Sequence, residues 1–282
     1  MIKLGVHGYL FTENWNDECR SFLDEAKNLG ADVFEIGIGD DSNLNPNSTK
    51  LHAEQLGLDL TTGPGGVWPL ECDLSSEYPQ DRAKGLDWHK KNVDLTASLG
   101  AFAYTGAFYG HPGVIKKRRP PADEYRWIAE GLHALAEYGA QQGIRIGIEP
   151  MSHFRTHLVN TPSQLMRLMK MAEHDNLRAI LDSYHLVTEI RDFSEAIHLV
   201  GNKLMGFHAC ENDRGCPGGG LIPWETIFEA LKTTHFEGYM MLETYNSSIG
   251  DFSLRRGMFH NVCPNPKEFI QRGFDFIKEG MS

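Results

Sequence analysis

The chain has 282 residues, of which 41% are hydrophobic, 10% aromatic and 23% charged, a composition typical of a folded globular protein. This composition excludes disordered, collagen-like and low-complexity proteins. The 38 acidic and 27 basic residues give a net charge of −11. Because such a surface repels phosphate backbones on average, we do not expect a nucleic acid partner.

The sequence also indicates the compartment. No run approaches the roughly 20 apolar residues that span a bilayer, and the first residues, MIKLGVHGYLF, lack the small-residue site of a signal peptide. We expect a cytoplasmic protein that does not contact membranes. An odd number of cysteines without a CxxC pair argues against a disulfide framework or a cysteine zinc site. We expect reduced, mostly buried thiols at Cys19, Cys72, Cys210, Cys216 and Cys263.

Short β-branched apolar runs alternate eight times with longer amphipathic segments, the pattern of repeated βα units. Strands are predicted near residues 4, 32, 58, 101, 144, 177, 204 and 239. Helices are predicted over residues 18–29, 49–56, 81–99, 122–142, 163–171, 193–199, 224–231 and 266–277. Four of these helices are followed by a glycine that suits a left-handed C-terminal cap: Gly30, Gly57, Gly100 and Gly143.

Eight units in this length favour a single (β/α)₈ TIM barrel over residues 1–282, rather than a doubly wound sheet. No linker divides the chain. No GxGxxG follows the first strand, so we expect no nucleotide cofactor. The run KKRRPP at 116–121 is interpreted as a solvated loop, with a phosphate-binding patch as the alternative.

In such a barrel the reactive groups lie at the carboxyl ends of the strands. Four polar residues end the last four apolar runs, at intervals of 33, 26 and 35 residues by subtraction: Glu149, Asp182, His208 and Glu243. A single strand-end carboxylate is commonly a helix cap or an ion-pair partner. Three carboxylates crowded together repel unless a cation joins them. The pattern therefore predicts a site for one divalent metal ion, Mn²⁺ first, with Mg²⁺ or Co²⁺ as alternatives.

Two further residues follow the same strand ends. His185 lies shortly after Asp182 in LDSYH, and Arg214 follows His208 in the glycine-rich FHACENDRGCPGGG. Either can hold a substrate oxygen; the alternatives are a packing histidine and a solvated loop charge. The run GGGLIPW is interpreted as the start of a helix, because it lacks the Lys-Ser/Thr of a P-loop.

At these residues the sequence resembles the ketose 3-epimerases of the tagatose, psicose and ribulose type, which are xylose-isomerase-like TIM barrels. The resemblance rests on IEPMSHFRTHLVNT, LDSYH, GFHACENDRGCPGGGLIPW and MMLET. It implies a small sugar substrate, a homodimer or homotetramer, and a metal held by Glu149, Asp182, His208 and Glu243. It also implies that His185 and Arg214 bind the substrate. Exposed apolar residues at 252–259 can contribute to a subunit interface or can pack within the barrel.

The sequence departs from this family in two places. Where such epimerases commonly have NRFE, this chain has SHFR, so that Arg155 replaces a carboxylate on the substrate side. After LDSYH the chain reads LVTEIRD where MNIEED is more usual. We predict that Arg155 binds the substrate, and an arginine there favours a carboxylate-bearing, phosphorylated or oxidised sugar.

The predicted reaction is epimerisation of a keto sugar at C3, next to the carbonyl, through a cis-enediolate. Glu149 and Glu243 are predicted as the acid and base pair. The alternatives are a metal-dependent sugar or keto-polyol isomerase, which can act on an oxidised or 3-keto sugar, and a non-catalytic sugar-binding barrel. A nuclease of the endonuclease IV kind is disfavoured, because it requires a histidine-rich multi-zinc mouth and a basic surface.

Overall fold

The protein forms a closed barrel of eight parallel strands in a computed structural model that describes residues 2–282. Each strand pairs with the next, and β8 pairs with β1 to complete the closure, with Leu4 opposite Met240. The predicted (β/α)₈ barrel is confirmed. The strands are β1 Lys3–His7, β2 Val33–Ile38, β3 Asp59–Pro64, β4 Ala103–Gly106, β5 Arg145–Ile148, β6 Leu177–Asp182, β7 Leu204–Ala209 and β8 Tyr239–Leu242.

Helices surround the barrel. They are α1 Ser21–Asn28, α2 Pro46–Leu56, α3 Pro79–Ser98, α4 Ala122–Gln141, α5 Pro162–Ala172, α6 Ser183–Leu186, α7 Phe193–Val200, α8 Trp224–Thr233, α9 Phe252–Arg255 and α10 Pro266–Met281. Two predicted starts were wrong. Residues 17–20 form a 3₁₀ turn ahead of α1, and α2 begins at Pro46 because the Asn45 side chain accepts the hydrogen bond of Ser48 N. The short helices α6 and α9 were not predicted.

The four predicted glycine caps are confirmed, since Gly30, Gly57, Gly100 and Gly143 all have positive φ, with φ 60° and ψ 44° at Gly57. A residue with a side chain rarely adopts this left-handed conformation. The chain can therefore reverse at these points and enter the next strand.

The main core lies between the strands and the helices, and a smaller core fills the barrel itself. Inside the barrel, large side chains face small ones. A Cβ at Gly5 would lie 2.9 Å from the side chain of Met241, and a Cβ at Gly147 would lie 2.9 Å from that of Met205. These glycines leave the volume that the methionines occupy, so the barrel is a packed core beneath its carboxyl-end face.

All five cysteines are free thiols, and all but the half-buried Cys216 are buried, as predicted. Residues 2–282 include no helix that is both long and apolar enough to cross a membrane. Part of the 252–259 segment packs against the barrel, because Phe252 and Met258 are buried, whereas Phe259 is 83% exposed.

The basic run at 116–121 is a loop in which Lys117, Arg118 and Arg119 are exposed, as predicted, but two of its side chains are also paired. Lys116 Nζ and Arg118 Nη1 each lie 2.8 Å from a carboxylate oxygen of Glu124, which is buried near the start of α4. A buried carboxylate requires such partners. Two of the four basic side chains therefore anchor the loop to α4.

Candidate active site

The four predicted strand-end residues meet at the carboxyl face of the barrel. Glu149 directly follows β5, Asp182 ends β6, His208 lies near the end of β7 and Glu243 directly follows β8. All four are buried, and one potential ligand atom from each lies within 4.8 Å of the others. We call these four residues the acidic cluster.

Hydrogen bonds to the neighbouring backbone fix the strand ends that carry the cluster. Tyr109 Oη donates to the carbonyl oxygen of Glu149 at 2.8 Å. Ser183 Oγ donates to the carbonyl oxygens of His208 and Cys210, which ties the start of α6 to the end of β7. The Asp182 side chain caps α6 by accepting from Tyr184 N at 2.7 Å. The positions of the cluster residues are therefore set by the scaffold.

Inside the cluster, each carboxylate faces a nitrogen atom of His208 or Arg214. His208 Nδ1 lies 3.1 Å from Glu149 Oε1 and 2.8 Å from Glu243 Oε2. Arg214 Nη1 lies 2.8 Å from Asp182 Oδ2 and 3.3 Å from Glu243 Oε2. Glu149 and Glu243 thus approach one imidazole nitrogen from β5 and β8.

Burial and charge act against each other at these groups. Burial raises the pKa of Glu149, and it raises that of Asp182 to about 7. At Glu243 burial acts in the same direction, but Arg214 and His208 together outweigh it and hold the pKa well below its usual range. Burial also opposes protonation of His208, but Glu149 and Glu243 hold its pKa well above the usual range. The site is an environment in which added positive charge is favourable.

The donor set fits a divalent cation. Glu149 Oε1, Asp182 Oδ2 and both ring nitrogens of His208 are buried, and none makes a well-aligned hydrogen bond to residues 2–282. Buried polar atoms without such partners are costly, and a coordinated ion removes that cost. Three carboxylates with one imidazole form an oxygen-rich set suited to ions such as Mn²⁺ or Mg²⁺.

His185 and Arg214 lie directly behind the cluster. Arg214 Nη2 lies 3.2 Å from His185 Nε2, and His185 Nδ1 lies 3.0 Å from Ser152 Oγ. Because a guanidinium can only donate, Nε2 is the acceptor, and Nδ1 carries the proton that it shares with Ser152. Burial and the charge of Arg214 agree with this neutral form, since they lower the pKa of His185 well below its usual range.

A cavity opens above the cluster, and Arg155 lies on its wall together with Glu149, His208 and Glu243. The other lining residues are His7, Tyr9, Glu35, Gly37, Gly63, Pro64, Gly65, Thr105, Gly106, Ala107, Pro112, Met151, Ile180, Tyr245 and Arg256. Residues from near both ends of the chain line the cavity, because β1 and β8 are adjacent.

The sequence interpretation missed His7, Tyr9, Glu35 and Arg256. Glu35 Oε2 accepts hydrogen bonds from Thr61 and Thr105, both at 3.0 Å, while its Oε1 lies 3.4 Å from His7 Nε2. The sequence pattern contained indications of two of these residues. His7 ends β1 under the strand-end rule used for the cluster, and Glu35 interrupts the apolar run of β2.

The glycine-rich loop after β7 binds a carboxylate of the protein itself. Glu211 Oε1 accepts from Gly218 N, Gly219 N and Trp224 Nε1 at 2.8, 3.1 and 2.7 Å. Helix α8 then begins at Trp224. The loop is therefore the start of a helix, in agreement with the sequence interpretation.

Similarity to known proteins extends over the whole barrel. A D-psicose 3-epimerase from Agrobacterium fabrum is 26% identical over 254 residues, covering 88% of this chain and 87% of that protein. A 3-dehydro-D-guloside 4-epimerase from Escherichia coli is 26% identical over 252 residues, covering 86% of this chain and 92% of that protein.

A solved L-ribulose 3-epimerase structure superposes with a TM-score of 0.93 at 24% identity, covering 100% of this chain and 95% of that one, which shows the shared fold. The sequence profile of one family, described as the xylose isomerase-like TIM barrel, matches residues 23–280. Together with the closed eight-stranded barrel, this match shows that the chain belongs to the xylose isomerase-like TIM barrel family.

Proposed function

We propose that this protein is a metal-dependent epimerase that inverts the carbon next to the carbonyl of a keto sugar, C3 of a ketose. Its relatives are sugar epimerases, and the chain is an enzyme of the isomerase class. One observation carries the proposal. Glu149 and Glu243 approach His208 Nδ1 at 3.1 and 2.8 Å from two different strands at the base of one cavity. This arrangement supplies two carboxylates, carried by different strands, that face one cavity.

The acidic cluster would hold the metal through Glu149, Asp182, His208 and Glu243, with Mn²⁺ proposed first and Mg²⁺ or Co²⁺ as alternatives. A divalent ion supplies Lewis-acid stabilisation of the negative charge that develops on a carbonyl oxygen when the neighbouring carbon loses a proton.

The chain's own carboxylates move the proton. One of Glu149 and Glu243 removes the C3 proton to give a cis-enediolate, and the other returns a proton to the opposite face of the carbon. Such general acid–base groups contribute typically about 10² to 10⁴ in rate. No redox or nucleotide cofactor takes part in these proton transfers.

His185 and Arg214 are proposed to bind sugar oxygens near the carbonyl. The 3.2 Å contact between them, and the 2.8 Å contact of Arg214 with Asp182, support this role because they fix both side chains beside the cluster. Arg214 is therefore held beside the cluster by His185 and Asp182.

A second candidate is an isomerase or epimerase that acts on a 3-keto sugar. The 26% identity to the 3-dehydro-D-guloside 4-epimerase of Escherichia coli favours it, since this equals the identity to the psicose enzyme. The same carboxylates serve both reactions. The two reactions differ only in the position of the carbonyl, and hence in the carbon whose hydrogen exchanges with solvent.

The experiment is solvent-deuterium exchange with a panel of ketoses and 3-keto sugars at saturating Mn²⁺, comparing wild type with Glu149→Gln and Glu243→Gln. Each variant should lose about 10² to 10⁴ in kcat, because the amide cannot act as a base. Each should still exchange the C3 hydrogen of one epimer, and the two variants should retain opposite epimers. Glu189→Gln, which removes a carboxylate outside the cavity beside His153, is the matched control and should leave kcat unchanged.

Metal occupancy is measured in every sample, so that loss of the ion is not mistaken for loss of the base. Near-normal epimerisation in either fully occupied variant would contradict the assignment. Deuterium at C1 with an aldose product would favour the isomerase, and exchange next to a C3 carbonyl would favour the second candidate.

We also propose a homodimer or homotetramer. Phe259 is 83% exposed and Leu254 is 48% exposed at the carboxyl-end face, and such apolar side chains are commonly covered in an assembly. Light scattering after size-exclusion chromatography tests this proposal. A monomeric mass at micromolar concentration would contradict it.

A further inference from the structure

Two arginines on the cavity wall have no acidic partner. Arg155 and Arg256 both line the cavity above the acidic cluster. Neither guanidinium forms an ion pair or a hydrogen bond with residues 2–282, whereas Arg214 and the neighbouring Arg255 pair with Asp182 and Glu13. Both side chains are only partly exposed. Unpaired guanidiniums in a partly enclosed cavity indicate that their partner arrives with the ligand.

The scaffold holds each arginine in place. Arg155 lies in the loop between β5 and α5, where its N donates to Ser152 O at 2.8 Å and its carbonyl accepts from Gly113 N at 2.6 Å. Arg256 follows α9, and its guanidinium lies 4.7 Å from the ring centre of Phe252. The Phe252 ring in turn lies 4.2 Å from that of Tyr9, another wall residue. The backbone of Arg155 and the guanidinium of Arg256 are therefore held, which reduces the entropy that ligand binding must remove.

The remaining charges of the cavity have partners. The three carboxylates of the cluster face His208 and Arg214, and a divalent cation would add to that positive side. Glu35 accepts from two threonines and faces His7. Arg155 and Arg256 are thus the positive charges left over. Burial lowers the pKa of Arg155, and the charges of Arg256 and Arg214 act in the same direction, so an anion beside it would be stabilising.

We propose that Arg155 and Arg256 form an anion subsite, and that the substrate is a keto sugar with a carboxylate or phosphate at a carbon away from its carbonyl. This inference rests on the proposed function, because the cluster must take the carbonyl end. A guanidinium matches the paired oxygens of a carboxylate or phosphate. Tyr9 lies on the same wall of the cavity.

The test compares three probes that share a carbon skeleton: a 2-ketohexose, its 6-phosphate and the corresponding 2-ketohexuronate. Epimerisation kinetics are measured for wild type, Arg155→Gln, Arg256→Gln and Arg155→Lys. Arg272→Gln, an exposed site on α10 outside the cavity, controls for the change in net charge. Circular dichroism verifies that each variant is folded.

We expect wild type to prefer one anionic probe over the neutral ketohexose, and the preferred probe identifies the anion as carboxylate or phosphate. Each glutamine variant should lower kcat/KM for that probe by roughly 10- to 100-fold, as expected for charge-assisted hydrogen bonds. The neutral sugar should change by less than about threefold, Arg155→Lys should recover part of the loss, and Arg272→Gln should match wild type.

Calorimetry on metal-free protein separates this inference from the proposed function. If the anionic probe binds there and the glutamine variants weaken its binding, the subsite stands even if no sugar is epimerised. If the three probes are turned over equally, or if the arginine variants affect neutral and anionic probes alike, the anion subsite is overturned while the epimerase proposal stands.

Discussion

Arg214 has an unusual backbone conformation, which is held by hydrogen bonds to its own peptide groups. Its φ of 68° is in the left-handed region, which residues with side chains seldom adopt. Thr244 Oγ1 donates to its carbonyl oxygen at 2.7 Å, and its own N donates to Glu211 O at 3.0 Å. These bonds hold a conformation that costs about 1 to 3 kcal/mol by itself. The strain coincides with the contact to Asp182, as is common at functional sites.

At the residue scale, we expect Asp182→Asn and His208→Ala each to lower bound Mn²⁺ to well below one ion per chain. Each removes a donor from the acidic cluster, and Asp182→Asn keeps a side-chain oxygen that can cap α6. Elemental analysis after dialysis measures the metal, and circular dichroism the fold. Asp175→Asn, at the exposed opposite end of β6, is the control. Unchanged metal content in both cluster variants would contradict the assignment of the acidic cluster as the metal site.

The cluster could be predicted from the sequence, whereas most of the cavity wall could not. Each cluster residue ends an apolar run, and parallel strands bring such ends to one face. Arg256 lies in a loop, where no periodicity indicates which way a side chain points. Its position depends on the ring of Phe252 and on the contact of that ring with Tyr9 near the other end of the chain. Such long-range packing is not encoded in a local pattern.

At the scale of elements, the basic loop and α4 form one unit. Burial acts to raise the pKa of Glu124, but hydrogen bonds from Arg118 and Lys116 outweigh it and lower the pKa. We expect Glu124→Gln to lower the free energy of unfolding by about 2 kcal/mol at pH 7, because it removes charge-assisted hydrogen bonds from a buried group. Urea unfolding followed by circular dichroism measures the loss.

The same substitution has a defined pH dependence. Because the folded pKa of Glu124 lies below the unfolded value of about 4.3, its ionised form stabilises the protein above that pH. The difference between wild type and Glu124→Gln should therefore shrink as the pH falls through the folded pKa. High salt should also reduce it, since Arg118 is 46% exposed. Glu130→Gln, exposed on the same helix, should show neither effect.

The start of α5 gives a second prediction for an element. Thr161 and Gln164 form a capping box, in which Thr161 Oγ1 accepts from Gln164 N at 3.2 Å and the Gln164 side chain accepts from Thr161 N at 3.0 Å. We expect Thr161→Ala to destabilise the protein by about 1 kcal/mol, and Thr161→Ser to retain most of the stability. Thermal unfolding measures both variants. An unchanged Tm for Thr161→Ala would contradict the role of the cap.

The periodicity of the sequence predicted which segments form helices, whereas the helix boundaries depend on side-chain caps. Asn45 moves the start of α2 to Pro46, and the box at Thr161 starts α5 at Pro162. In both helices a proline occupies the first turn, where its missing N–H costs nothing. A rule that joined a capping residue to a following proline would have found both starts.

At the scale of the whole molecule, barrel closure makes the site depend on both ends of the chain. Strand β8 pairs with β1, and Asn246 Nδ2 donates to Leu10 O at 3.2 Å beside it. Because Glu243 directly follows β8, the cluster is complete only when the barrel has closed. Ligand binding and global stability are therefore linked.

This linkage predicts that Mn²⁺ raises the Tm of wild type. Free Mn²⁺ at about 100 times its Kd should add about 2.7 kcal/mol, or roughly 4 to 6 °C for a chain of this size. Asp182→Asn should lose most of the shift because it binds the ion weakly, whereas Asp175→Asn should keep it. An equal rise in all three proteins would mean that the ion binds elsewhere.

The acidic cluster comes entirely from β5 to β8, whereas β1 to β4 contribute much of the wall, with glycines at 37, 63, 65 and 106. A Cβ at Gly65 would lie 2.1 Å from Tyr9 Oη, so one methyl group there reshapes the cavity without touching a cluster residue. Much of the cavity wall can thus vary without a change in the cluster residues. Substitutions in the first half can therefore alter which substrates fit the cavity, and they act together with Arg155 and Arg256 from the second half.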